Sequence, residues 1–404
     1  MKKKLTLVII FFLIQSTIAN LGHPVTPALV RGLGLPDYMF GVFFATMSFG
    51  LMIGAPIWGI LGDQGNKKKY IVTGLLLYSI GQFAFGYVNN PYLMVFFRFV
   101  SGFGAVSAST LLITHVIEIS PKDKRARNLA YVAATMTMGG SIGYYLGGFL
   151  STNAWATGFF HITEYRQIFL IQAILNTFYA LLILFFYKEV EDKVILPKKQ
   201  SMFKSLKEIT KISPSLLLFL LSLTFIMIGA TNLSKYIDVY FNELGYTPQD
   251  LGTFVMATGV ASLLASIFLV PLFAKLRKQV VAIAIIQTLS AIIVFYVFRA
   301  NQFLLVIYTV YMLYVVIKAI YQPLEQNYIS LHAHEGEFGR IMGLRQSFVS
   351  IGMVIGPLVG GFLYQKSPLF LFDSSAIAFL IGVGLLFAVL ILEIRKRALH
   401  SENE

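Results

Sequence analysis

The long apolar runs of this 404-residue chain contain few ionisable residues, and these are the first candidates for chemistry. Lys318 and Glu325 stand seven positions apart, which is about 10 Å along a helix and on one of its faces. Facing lipid would be costly for either residue, so we expect both to face an internal cavity. Glu325 is the first candidate for reversible protonation. Alternatively, the two residues neutralise each other in a structural network.

Arg98 and Glu118 are further candidates for proton coupling. Arg98 lies several residues into an apolar run, where a buried arginine needs a partner or nearby water. The alternative is that its side chain reaches the membrane surface. His115 and Glu118 lie toward the end of the same run, and we expect them at the membrane interface. Lys235 and Asp238 are predicted at the outer end of another run, where a surface pair contributes little.

Polar side chains inside the apolar runs are candidates for lining a substrate cavity. Pro24 and Pro27 predict a bend near the end of the first run. His23, beside them, titrates in the physiological range, although a hydrogen-bonded structural histidine is the simpler interpretation. The predicted cavity residues are Gln15, Asn20, His23, Tyr144, Lys235, Lys318 and Tyr321.

The composition indicates a helical membrane protein. Hydrophobic residues make up 57% of the chain and charged residues 13%, against about 25% charged in soluble domains. The apolar runs are about twenty residues long, the length that a helix needs to cross a membrane. Continuous runs, rather than alternating ten-residue segments, exclude a β-barrel. The first run follows Met1–Lys4 and continues past Ile18, so we interpret it as a retained span rather than a cleaved signal peptide.

The runs predict an all-α membrane protein with twelve transmembrane helices in two pseudo-symmetric six-helix bundles. An N-terminal bundle is expected at 1–187, a cytoplasmic linker at 188–213, and a C-terminal bundle with a short tail at 214–404. The predicted spans are 5–28, 38–62, 70–88, 92–117, 128–150, 166–187, 214–235, 251–274, 279–298, 303–329, 343–364 and 370–394.

Basic residues concentrate in alternate connections, including Lys67–Lys69 and the central linker. Because basic loops stay in the cytoplasm, we expect both termini to be cytoplasmic in a multi-pass protein of the cell membrane. The same distribution accounts for the net charge of +13, so we expect no nucleic-acid partner.

An internal repeat supports two related halves. A constant shift of 213 positions carries Gly139, Gly143 and Gly147 onto Gly352, Gly356 and Gly360. Small residues four apart let helices pack closely, which explains the glycines but not why the same set recurs. Parallel halves with the substrate site between them are a recurring transporter design.

At these motifs the sequence resembles the major facilitator superfamily, and within it the twelve-helix drug:proton antiporter branch, over essentially the whole chain. The segment from Gly59 to Lys68 is similar to the family's cytoplasmic loop motif. The resemblance implies that this loop is a gate. The matching positions are Gly59, Asp63, Lys67 and Lys68; Gln64 replaces the usual basic residue and Asn66 the usual glycine.

Two further motifs carry the resemblance. Arg98, followed by Gly102 and Gly104, is similar to the family's arginine motif, which implies a role in proton coupling or in organising the cavity. The glycine repeat is similar to the family's antiporter motif. The copy in the eleventh span has the expected Pro357, whereas Tyr144 stands at the proline position of the copy in the fifth span.

No phosphate-binding loop, HExxH motif or nucleophile elbow is present, so we expect neither an enzyme nor a cofactor or metal site. We expect a monomeric proton-coupled exporter of amphipathic small molecules, with protons and the lipid bilayer as its other partners. The alternative is a dedicated carrier of an organic anion, metabolite or lysolipid. It is favoured by Lys235 and Lys318, because the resemblance places acidic residues in those stretches of cation exporters. A receptor that uses the fold without transport is a third possibility.

Overall fold

The structure is a computed structural model that describes residues 2–121, 124–189, 213–273, 276, 278–331 and 338–401. Most of the linker predicted at 188–213 lies outside these residues. The described residues form helices and their connections, and no strand occurs among them.

Eight helices cover the sequence up to residue 189: α1 Lys2–Asn20, α2 Thr26–Gly32, α3 Tyr38–Asp63, α4 Lys67–Tyr87, α5 Pro91–Ile119, α6 Arg125–Thr152, α7 Ala154–Phe160 and α8 Arg166–Phe186. The described residues from 213 onward form α9 Pro214–Glu243, α10 Pro248–Phe268, α11 Val270–Phe273, α12 Gln279–Val297, α13 Phe303–Tyr308, α14 Val310–Leu331, α15 Phe338–Lys366 and α16 Pro368–Ser401.

Within the described chain, ten helical segments are long and apolar enough to cross a membrane. They correspond to all the predicted spans except the first and the fifth. The first span forms α1, whose apolar part, Leu5–Asn20, is short. The fifth forms α6, which is 28 residues long but rich in glycine and hydroxyl side chains. The helical membrane fold is confirmed, whereas the count of twelve remains a prediction.

The first predicted span is broken where the prolines predicted a bend. Helix α1 ends at Asn20, and α2 begins at Thr26 after a turn that contains Pro24. Proline lacks a backbone N–H and restricts the residue before it, so the helix cannot continue through this point. The Thr26 hydroxyl donates to the Gly22 carbonyl at 2.6 Å and bridges the turn.

The chain divides into two compact units. The first comprises Met1–Lys199 and Ile237–Val260, and the second comprises Gln200–Tyr236 and Ala261–Glu404. The segment 237–260 belongs to the first unit because it packs closely on α6. A Cβ atom added to Gly148 would collide with the backbone of Pro248. The domain boundaries at 187 and 214 stay a prediction.

The repeated glycines pack in the same way within each unit. Gly139, Gly143 and Gly147 of α6 lie against the backbone of α1 and of Leu21, which follows it. Their counterparts in α15 lie against Thr224–Asn232 of α9. Each glycine row therefore lets one helix approach the first helix of its own half.

Candidate functional site

Glu325 is held by an arginine that the sequence analysis did not single out. It lies on α14 with 2% of its surface exposed, so it does not face an open cavity. Arg345 of α15 donates to the Glu325 Oε1 atom through Nε at 3.0 Å and also through Nη2. The Oε2 atom has no hydrogen-bond partner in the described part of the protein. An arginine inside a predicted span is the signal that identified Arg98, and it would have identified Arg345 as well.

Lys318 does not neutralise Glu325, so the expectation of a Lys318–Glu325 network is wrong. Its side chain is exposed, and its Nζ atom lies 5.9 Å from the centre of the Tyr314 ring. Lys235 of α9 is close enough to repel it electrostatically. Among the described residues, no carboxylate forms an ion pair with Lys318. Tyr321, the other predicted cavity residue of α14, is buried.

Arg98 is buried within the first unit and does not reach the membrane surface. Only 3% of it is exposed, and its guanidinium carbon lies 3.5 Å from the centre of the Phe85 ring, a cation–π geometry. Its Nη atoms donate to Gln82 Oε1 at 3.4 Å and to Thr26 Oγ1 at 3.5 Å. None of the ion pairs found in the described residues includes Arg98. The neutral partners position the charge without cancelling it.

A polar network beside Arg98 supports the broken end of α1. The Gln172 Nε2 atom donates to the carbonyl oxygens of Ile18 and Ala19 at 2.7 and 3.0 Å. The Tyr78 hydroxyl also donates to the Ala19 carbonyl, at 3.2 Å. These side chains satisfy carbonyl groups that a helix end would leave without a partner. The break is therefore a stable feature of the first unit.

The predicted cavity residues of α1 bond to backbone carbonyls. The Gln15 Nε2 atom donates to the Ala105 carbonyl of α5 at 3.3 Å. The Asn20 Nδ2 atom donates to the Ser16 carbonyl at 2.8 Å. Both side chains are partly buried, so each also keeps some accessible surface.

Tyr144, His23 and Asp238 come together in the first unit. The Tyr144 hydroxyl donates to Asp238 Oδ2 at 2.9 Å. The His23 ring stacks on Tyr144 at 5.4 Å and on Phe44 at 5.2 Å. Helix α9 extends to Glu243, well past the predicted end at 235, and Asp238 is 1% exposed. The expectation that Asp238 forms a surface pair is therefore wrong.

The loop that resembles the gate motif forms a tight turn between α3 and α4. Asn66 has φ of 58°, a left-handed conformation that asparagine tolerates better than most residues other than glycine. This explains how Asn66 can occupy the glycine position of the motif. Gly59 is buried within α3, whereas Asp63 is exposed at its end.

The lysines of this motif bind groups of the first unit. Lys67 forms an ion pair with Oε1 of Glu118 on α5, and the Oε2 atom of Glu118 has no hydrogen-bond partner in the described residues. The Lys68 Nζ atom donates to the Leu184 carbonyl at 3.0 Å. The Glu189 carboxylate accepts from the Lys68 backbone N–H at 2.8 Å, at the start of α4. Glu118 therefore contacts the loop that resembles the gate motif.

His115 is buried close to this loop and not exposed at the membrane interface. Its Nδ1 atom lies 3.1 Å from the hydroxyl of Tyr187. Burial, with smaller effects of Glu189 and Glu118, raises the pKa of the Tyr187 hydroxyl. The phenol therefore stays protonated and able to donate to the histidine.

The main contacts of the candidate residues form five separate pairs. Glu325 with Arg345, and Lys318 with Lys235, lie in the second unit. Arg98 with Phe85, and the pair of Tyr144 and Asp238, lie in the first unit together with Glu118 and Lys67. Of the proton-coupling candidates, Glu325 and Glu118 each pair with a basic residue.

Comparison with known proteins identifies the class and then the family. Two solved structures share the fold: a bacterial homologue of the human lysosomal transporter Spinster, in an inward-facing conformation, and a proton-dependent oligopeptide transporter. Each has a TM-score of 0.75; the identities are 13% and 14%. The alignments cover 96% of both chains for the first, and 98% of this chain and 100% of the other for the second. The fold is that of a membrane transporter.

The sequence profile of the Major Facilitator Superfamily matches residues 7–247 and 217–404. The chain belongs to this family. Quinolone resistance protein NorA of Staphylococcus aureus is 25% identical over 91% of this chain and 90% of its own length. Multidrug resistance protein 2 of Bacillus subtilis is 24% identical over 90% of this chain and 89% of its own length.

Proposed function

We propose that this protein is a proton-coupled secondary transporter that exports amphipathic small molecules by alternating access between two six-helix halves. Membership of the Major Facilitator Superfamily supports transport of a small molecule. The names of the two relatives, a quinolone resistance protein and a multidrug resistance protein, support export of amphipathic drugs. A position in the cell membrane with both termini in the cytoplasm follows from the basic connections.

The observation that carries proton coupling is the Glu325–Arg345 ion pair inside a membrane span. Protonation of Glu325 removes the negative charge that holds Arg345, so the bonds between α14 and α15 weaken. Removal of one charge from a buried pair is costly, because the other charge is left without compensation. Proton binding can therefore shift the balance between two conformations.

Two further residues support this proposal from the first unit. Glu118 with Lys67 offers a second carboxylate–lysine pair, at the loop that resembles the gate motif. The hydrogen-bond partners of Arg98 are neutral, so its positive charge remains able to attract an anionic group. We assign Arg98 to organising the electrostatics of the first unit, and Glu118 to the gate.

The test is substrate-induced proton movement in proteoliposomes that contain a trapped pH dye. Cationic, neutral and anionic amphiphiles are added in turn, and wild-type protein is expected to move protons with cationic or neutral drugs. The Glu325→Gln variant should lose this proton movement. The matched control is Glu164→Gln, which neutralises an exposed carboxylate and should behave as wild type. Full coupling in Glu325→Gln would remove Glu325 from the mechanism, and no proton movement with any drug would reject the proposed function.

A dedicated carrier of an organic anion, metabolite or lysolipid is the second candidate, and Lys318 favours it. This lysine is exposed in a membrane span, and no described carboxylate forms an ion pair with it. The control for Lys318→Ala is Lys366→Ala, because Lys366 lies at a similar distance, 6.0 Å, from an aromatic ring. Loss of anion transport in Lys318→Ala alone would favour this candidate. Transport of a cationic dye that Lys318→Ala leaves unchanged would count against it.

A further inference from the structure

Asp238 is a buried carboxylate that the Glu325 mechanism does not use. It lies on α9 five positions before the helix ends at Glu243, and it is 1% exposed. An ionised carboxylate in apolar surroundings is stable only with partners that bond to it. One such partner is the hydroxyl of Tyr144, 2.9 Å from Oδ2. This contact joins α6 to the end of α9 within the first unit.

Tyr144 and Arg345 differ in how they bond to a carboxylate that gains a proton. A phenol hydroxyl can donate or accept, so it keeps a hydrogen bond to Asp238 whether that residue is a carboxylate or a neutral acid. Arginine only donates and keeps its charge, so protonation of Glu325 leaves a cation facing a neutral group. The hydrogen bond between Tyr144 and Asp238 can therefore persist in both protonation states of Asp238.

The surroundings hold Tyr144 in place and bury its side chain. His23 stacks on its ring with an interplanar angle of 19°, and Phe44 also stacks on His23. Helix α10 lies directly on α6 here, since a Cβ atom added to Gly252 would fall 2.6 Å from the Tyr144 carbonyl oxygen. Tyr144 itself is 7% exposed.

Charged and titratable groups occur on α9 itself, on α2 and α10, and in the turns beside them. On α9 itself, Lys235 lies one turn earlier and Glu243 lies at the end. Arg31 of α2 binds Glu243 at 3.4 Å and Asp37, before α3, at 3.1 Å. On α10, the Asp250 carboxylate accepts from the Thr247 backbone N–H at 2.8 Å and caps its own helix. The turn between α1 and α2 supplies His23. The His23 ring stacks on Tyr144.

We propose that Asp238 is a second proton-binding residue of the transport cycle, and that Tyr144 is the positioning residue that keeps it hydrogen-bonded in both protonation states. A proton from water on one side of the membrane adds to a carboxylate oxygen of Asp238, and the neutral acid later releases it to water on the other side. This inference rests on the proton-coupled transport proposed above.

Infrared difference spectroscopy of the purified protein tests proton binding without transport. Spectra recorded during a pH titration contain a carbonyl band for each carboxylic acid that gains or loses a proton. We expect one band of the wild-type protein to be missing in Asp238→Asn and present in Glu325→Gln. The Tyr144→Phe variant should shift the midpoint of that band. Tyr145→Phe, one position along the same helix, is the matched control and should leave the midpoint unchanged.

Transport of ethidium driven by a pH gradient is the second readout. Asp238→Asn is expected to lower the rate by about tenfold or more, whereas ethidium exchange without a gradient is retained. Equal titration bands and equal pH-driven rates in wild type and Asp238→Asn would overturn the inference. If Asp238→Asn does not fold, an unchanged midpoint in Tyr144→Phe overturns it. A wild-type protein that has the Asp238 band but moves no protons during transport would reject the proposed function and leave the proton-binding site standing.

Discussion

The glycine-rich helices α6 and α15 are two copies of one sequence motif, and Tyr144 of α6 stands where α15 has Pro357. Both pack a row of glycines against the first helix of their own half. Tyr144 of α6 uses its side chain, which donates to Asp238 at 2.9 Å. At the equivalent position of α15, Pro357 uses its backbone, whose carbonyl accepts from Tyr236 at 2.9 Å. The repeat preserves the packing, and the tyrosine in place of proline gives the first unit a bonded carboxylate.

The largest loss of stability is expected when Tyr144 is replaced by the proline of the other copy. Tyr144→Pro would make α6 match α15 at this position. A proline inside a helix loses one backbone hydrogen bond and crowds the preceding turn, so we expect α6 to be destabilised by about 3 kcal/mol. Thermal unfolding of the purified protein measures this loss.

The control for that experiment is Tyr144→Ala, which removes the side chain and keeps the backbone N–H. Equal melting temperatures for the alanine and proline variants would contradict the prediction. Such a result would mean that α6 can bend at this position as readily as α15 accommodates Pro357.

An intermediate effect is expected from filling the glycine rows. A side chain at Gly147 would collide with the backbone carbonyl of Leu21, whereas one at Gly360 would meet the side chain of Asn232 first. Because a side chain can move more easily than a backbone, Gly147→Val should destabilise more than Gly360→Val, within about 1–3 kcal/mol. Gly384→Val is the control, since no atom lies within contact distance there. Thermal unfolding that ranks Gly360→Val as the more damaging change would contradict the comparison.

The smallest effect is expected from Tyr236→Phe. This change removes one hydrogen bond to the Pro357 carbonyl and should cost about 1 kcal/mol. Tyr296→Phe, at a tyrosine that is 56% exposed, is the control and should leave stability unchanged.

The Tyr236→Phe variant also tests whether the two glycine-rich helices differ in function. Tyr236→Phe and Tyr144→Phe each remove one phenol hydroxyl from the contacts of a glycine-rich helix. We expect only Tyr144→Phe to change the pH profile of transport, because the Tyr144 hydroxyl donates to a carboxylate whereas the Tyr236 hydroxyl donates to a backbone carbonyl. A changed profile in Tyr236→Phe would show that both copies contribute to proton handling.

Several elements of the fold could be predicted from the sequence with small errors. The glycine repeat predicted two related halves, and α6 and α15 pack accordingly in their units. Pro24 and Pro27 predicted a bend, and the structure has a full break between α1 and α2 at this point. The error at α9 has a physical cause: its last turns, from Lys235 to Glu243, carry charges that end a hydrophobic pattern, although a buried helix can continue through them.

The sequence by itself determined the helical membrane class, the approximate helix ends and the repeat, because apolar run length and residue spacing act along the chain. Only the tertiary structure decided which charges meet. Lys318 and Glu325 share a helix face, but the neighbouring helix brings Arg345 to Glu325 instead. Tyr144 and Asp238 are 94 positions apart and come together because α10 and the end of α9 pack on α6. Helical periodicity fixes the face on which a residue lies, whereas the helix that it faces depends on the packing of the whole unit.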